Sequence, residues 1–158
     1  MRPALSCAAL LALILTTGGA LAAPACTAPS MPDSQAMADA VNRLRAQAGA
    51  PALQAHPALA RAAADQACAM AQSGRLSHAG GGGVKARTRA AGYGASAIAA
   101  ENIAAGQPDA GAALSSWAAS GGHRANLLNP RLRHLGIGRA VAADGRTPFW
   151  SLVLAAPR

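Results

Sequence analysis

Apolar positions in the first two thirds of the chain recur at three- and four-residue intervals, and in the last third they alternate or run together. Met37, Val41, Leu44 and Ala48 share one face of a helix that Asp33 or Ser34 caps and that Gly49 and Pro51 stop. His56 followed by Pro57 suits a first helical turn. From Leu59 a second stripe, Ala63, Ala67 and Met70, runs on to a terminator at Gly74. Ala110, Ala113, Leu114 and Trp117 place a third helix over Asp109 to Ser120, with Trp117 in the core and Gly121-Gly122 as its end. Between the second and third helices the pattern loosens. Gly80 to Gly83 reads as a flexible loop, Val84 to Ala91 as one or two helical turns before Gly92, and Ile98 to Ile103 as a short strand. Gly136 to Val141 alternates, Asp144-Gly145 is a turn signal, and Phe149 to Ala155 is an apolar run suited to a buried strand.

Helices come first and antiparallel strands mostly last, which predicts an α+β fold with helices packed on a small sheet. The N-terminus has its own pattern. Met1-Arg2-Pro3 precedes an apolar run from Ala4 to Leu15 and the small residues Ala20-Leu21-Ala22, the order of a cleavable secretory signal. The run is shorter than the roughly 20 residues that a bilayer core requires, so a leader over residues 1–22 is expected and a membrane anchor is not. Pro24 and Ala25 separate Ala23 from Cys26, which argues against a lipid-modified cysteine at the cleavage point. An Ala/Pro-rich lead-in over 23–33 and one domain over 34–156 account for the rest. The expected location is secreted or periplasmic, with a monomer as the expected state.

Charge narrows the partners. The formal charge of +8 falls to +7 without Arg2, a surface that favours anions such as envelope polymers or lipid headgroups. The basic residues are scattered and aromatics are few, so neither a basic tail nor a base-stacking platform for nucleic acid is present. Cys7 leaves with the leader, and Cys26 and Cys68 remain as an even pair. At about 100° per residue Cys68 falls opposite the apolar stripe of its helix, within reach of the lead-in. A Cys26–Cys68 disulfide would close a loop of about 43 residues, worth about 4 kcal/mol on the chain-entropy model. Two free thiols are the alternative.

Candidate chemistry centres on Glu101, the chain's one glutamate, set in an otherwise apolar stretch from Ile98 to Ala105. A buried carboxylate needs a partner. His78, in Ser77-His78-Ala79-Gly80, and His123, in the run Gly121 to Pro130, stand in Gly- and Asn-rich segments read as turns. Two imidazoles and one carboxylate are the ligand set of an open zinc site; they equally suit a metal-free acid/base cluster or a structural triad. No helix of the H-E-x-x-H type brings such ligands onto one face. His56 reads as a residue at a helix start and His134 as a loop residue, outside this site. There is no G-x-S-x-G elbow, no S-x-x-K and no spare thiol, which disfavours the hydrolases built on them.

Taken in order, Ser77-His78-Ala79-Gly80, Arg89-Ala90-Ala91-Gly92-Tyr93, Ala100-Glu101-Asn102-Ile103-Ala104, Trp117, His123 to Pro130, Leu135-Gly136-Ile137-Gly138 and Phe149-Trp150 resemble the CAP superfamily. That group holds cysteine-rich secretory proteins, antigen 5 allergens, pathogenesis-related class 1 proteins and many bacterial exported proteins. The resemblance spans about Met37 to Ala155. It implies a three-layer α/β/α sandwich with a shallow cleft, lined in the family by two His and two acidic residues. His78, Glu101 and His123 match three of those positions; Ala118, Ala119 and Ser120 stand where the second acidic residue is expected. The implied function is an exported module whose cleft binds a ligand (a lipid, a sterol-like molecule or an envelope component) or zinc or another divalent cation, without defined turnover. Asn102 and Asn126 are expected to hydrogen-bond backbone and orient the site. The rival expectation is a metal-assisted hydrolase acting on peptide or cell-wall fragments, with Glu101 or one His as general base.

Overall fold

The computed structural model describes Cys26 and residues 31–158. The expected leader lies outside the described residues, as does the lead-in apart from Cys26 and its last three positions. The elements in chain order are α1 (Met31–Gln47), β1 (Gln54–Ala55), α2 (Pro57–Ser73), α3 (Val84–Ala90), β2 (Ser96–Ala105), α4 (Ala110–Ala119), α5 (Gly121–Leu128), β3 (His134–Val141) and β4 (Pro148–Pro157). Helix α1 starts before its expected cap, because Pro32 occupies the first turn, where its missing N–H leaves no bond unmade.

The strands form one sheet in the order β1-β3-β4-β2. β3 and β4 are the expected antiparallel hairpin, β2 pairs antiparallel with the other side of β4, and β1 adds a two-residue parallel contact to β3. As the central strand, β4 is buried from Pro148 to Ala156, which explains its unbroken apolar run. The mixture of helices around a small four-stranded sheet is the three-layer α/β/α arrangement.

Alternation along the strands divides the core between two faces. On one, Leu135, Ile137, Trp150, Leu152 and Leu154 pack against Met37 and Val41 of α1, Trp117 of α4 and Leu127 of α5. On the other, Ala140, Phe149, Val153 and Ala155 meet Leu59, Ala63, Ala67 and Met70 of α2. Helix α2 lies unusually close to the sheet there. A Cβ on Gly136 would stand 2.1 Å from the backbone of Leu59 and Ala60, and one on Gly138 2.2 Å from that of Ala63. The Gly-x-Gly pair of β3 and the alanines of α2 are thus one packing device.

Two segments differ from expectation. Gly121 to Leu128 was expected as a turn and is helix α5; Ser120, in an extended conformation, separates it from α4. Buried Leu127 and the contacts of Asn126 hold this glycine-started helix, so tertiary packing overrides its weak propensity. Gly80 to Gly82, expected as flexible loop, forms a short 3-10 turn with φ of 59° at Gly81 and 77° at Gly82, the left-handed region that glycine tolerates. Cys26 and Cys68 are joined as a disulfide. Among the described residues no helix is long and apolar enough to cross a membrane.

Candidate ligand-binding site

Glu101 lies on the outer strand β2, opposite Val153 of β4. Its side chain shares the α2 side of the sheet with Ile103, and its carboxylate is 2% exposed. Each oxygen is engaged. Oε1 accepts from Arg87 Nη2 and from Ser151 Oγ at 3.3 Å; Oε2 faces His78 Nδ1 at 2.9 Å. Arg87, on α3 and 6% exposed, also donates through Nη1 to the carbonyls of His78 and Gly80. One guanidinium therefore neutralises the buried carboxylate and fixes the loop that carries His78. The His78 ring is 59% exposed, and its Nε2 has no partner among the described residues.

Asn102, the next residue on β2, points to the opposite side of the sheet. Its Nδ2 donates to the His123 carbonyl at 3.0 Å, and Asn126 Nδ2 donates to Asn102 Oδ1 at 2.9 Å and to the Glu101 carbonyl at 3.4 Å. These amides lock α5 to β2. The His123 ring, half-buried on α5, forms no hydrogen bond with His78 or Glu101. The structure thus brings together the side chains of His78 and Glu101, and links His123 to them through its backbone.

This donor set is a poor fit to a resident cation. Among the described residues no group of three or more His, Cys, Asp or Glu side chains is arranged to hold a metal ion. A shared ion would have to displace Arg87 and Ser151, or the His78 ring, from the carboxylate.

Beside His78 opens a hollow of about 340 Å³ lined by Gln66, Ala69, Met70 and Ser73 of α2 and by Arg75, Leu76, Ser77 and Gly80. Leu76 is 53% exposed, the one large apolar side chain so exposed among the described residues. Buried Gln66 donates through Nε2 to the Ser77 carbonyl, while its Oε1 has no partner. Arg75, Leu76, Gln66, Arg87 and Ser151 were not singled out in the sequence. For Arg87 a signal existed: a lone carboxylate in an apolar strand requires a cation nearby. His56 and His134 stay out of this site and meet each other elsewhere.

Comparison with known proteins agrees with this architecture. An extracellular protein of Bacillus anthracis containing an SCP domain superposes with a TM-score of 0.69 at 28% identity, over 82% of this chain and 45% of that one. An outer surface protein of Borrelia burgdorferi gives 0.74 at 16% identity, over 82% and 96% of the two chains. A cysteine-rich secretory protein of Staphylococcus aureus gives 0.61 at 19%, over 78% and 38%. The chain spans less than half the length of the Bacillus and Staphylococcus proteins. No curated protein sequence matches it significantly. The family model of CAP, the cysteine-rich secretory protein family, matches residues 38–154, from within α1 to near the end of β4, and the chain belongs to that family.

Proposed function

We propose that this CAP domain acts outside the cell as a binding module, and that its ligand is a small anionic amphiphile held at the hollow beside His78. The observation that carries the reading is the division of labour around Glu101. Its carboxylate is engaged by Arg87, Ser151 and His78, so it orients the imidazole and is not itself presented to a ligand. The opposite nitrogen of that exposed ring has no partner among the described residues, and His78 is next in sequence to Ser77, which lines the hollow. Arg75 offers a cationic group, and Leu76 and Met70 an apolar wall. A guanidinium and an imidazole nitrogen near an apolar surface suit a phosphate or carboxylate head on an alkyl body. The leader-like N-terminus and the extracellular or outer-surface description of the structural neighbours support export. Glu101 is held away from solvent, and among the described residues no group of three or more metal-ligating side chains is assembled, an arrangement that favours binding.

Isothermal titration of the purified, oxidised protein with decyl phosphate tests this, with inorganic phosphate and decanol titrated separately. The expected result is saturable binding of decyl phosphate, weaker binding of either fragment, and a loss of about tenfold in His78→Gln and in Arg75→Gln, the scale of one charge-assisted hydrogen bond. Binding that both variants leave unchanged would refute the site. Stoichiometric zinc uptake abolished by Glu101→Gln would replace the reading with a metal centre.

A further inference from the structure

His56, Tyr93 and His134 gather where β1 passes into α2, apart from the site just described. His56 is the N-cap of α2, and its Nδ1 accepts from the Ala58 amide at 3.2 Å. That bond needs a lone pair on Nδ1, so the neutral ring carries its proton on Nε2. His134 opens β3 beside Gln54 of β1, and its Nδ1 lies 2.7 Å from Tyr93 Oη. The ring centroids are 4.8 Å apart for His56 and Tyr93, 5.2 Å for the two imidazoles and 5.7 Å for Tyr93 and His134. All three side chains are half-buried.

We propose that this cluster is an acid-sensitive latch: with the rings uncharged it caps α2 and holds β1 against β3, and protonation releases the first turn of α2 together with β1. On His56, a proton at Nδ1 would set a donor against the Ala58 donor and remove the cap. On both rings, it would place two like charges side by side. Among the described residues the surroundings supply no counter-charge. From α2 the nearby charged group is Arg61, whose Nη2 donates to the Ala91 carbonyl close to Tyr93. From the turn before β3 it is Arg133, which shares a small hollow with His134, Gln54 and Pro157 of β4. Helix α1 contributes uncharged Ser34 and Gln35 to the groove beside His56. Among the described residues no carboxylate stands within ion-pair distance of either imidazole.

Burial, and then the proximity of His56, hold the His134 imidazole below its ordinary value of 6.5. A group lowered in this way contributes stability that is present above 6.5 and is lost as the pH falls below it. Strand β1 has only two paired residues to resist that loss.

Amide hydrogen exchange between pH 7.5 and 5, corrected for intrinsic rates, reads the latch at Ala58 and Ala60. The wild-type protein should lose protection at these amides about tenfold relative to mid-α2 amides as the pH falls. His56→Asn keeps a strong capping side chain without a titrating ring, and with His134→Gln it should make protection independent of pH. If the double variant folds poorly, His56→Asn alone serves and should remove at least the cap-dependent part of the loss. A flat wild-type profile, or an equal acid response in the variants, overturns the proposal.

Discussion

Arg87 carries two burdens at once, since the guanidinium that neutralises Glu101 also holds the carbonyls of His78 and Gly80. Truncating one partner of a buried pair leaves the other charge unsolvated, and that penalty exceeds the worth of the pair itself. Arg87→Met should therefore lower stability by about 3 kcal/mol, read from urea unfolding, whereas a loss below about 0.5 kcal/mol would mean that water already reaches Glu101. Arg45 poses a similar problem differently. It is fully buried in a helix face expected to be apolar, and it donates to the carbonyls of Pro51, Leu127 and Asn129. Burial, and then nearby Arg133, lower its pKa. The sequence pointed to Glu101 because one glutamate in an apolar strand has to be explained. It gave no equivalent hint for Arg45, because main-chain acceptors have no residue identity and only the folded chain places them.

At the scale of elements, legibility followed periodicity. Helix α2, the β3–β4 hairpin and the α4 stripe stand out because each buries one regular face, and the Asp144-Gly145 turn has a chemical signature: Asp144 Oδ1 accepts from the Arg146 and Thr147 amides. Helix α5 and strand β1 do not stand out. The first begins on two glycines and is held by Asn126 and Leu127, and the second is two residues long, so tertiary contacts define both. The sharpest element-level constraint is the contact of α2 with β3. Gly138→Ala would drive a methyl group into the backbone at Ala63, which no rotamer change can relieve. The expected cost is about 3 kcal/mol in denaturant unfolding. A neutral effect would show that α2 can lift from the sheet freely.

Across the whole molecule, the sandwich keeps its polar chemistry at the outer margin of a sheet whose central strand is buried as far as Ala156. The disulfide ties Cys26 to Cys68 on α2, across a sequence separation of 42. On the chain-entropy model that loop contributes about 4 kcal/mol, so unfolding in reductant should occur at markedly lower urea than in the oxidised protein, and equal midpoints would assign the bridge no thermodynamic role. The α+β class and the three-layer arrangement were readable from element order and motif order together. The fate of the His78, Glu101 and His123 set was not, because adjacent strand residues face opposite ways: Glu101 turns to His78 while Asn102 turns to α5. The most direct test of the binding reading is a two-dimensional amide NMR titration of the oxidised protein with decyl phosphate below its micelle concentration. The account predicts that the largest shifts fall on Gln66, Met70 and Arg75 to Gly80 and saturate together; shifts spread over the exposed arginines, or centred on α5, would contradict it.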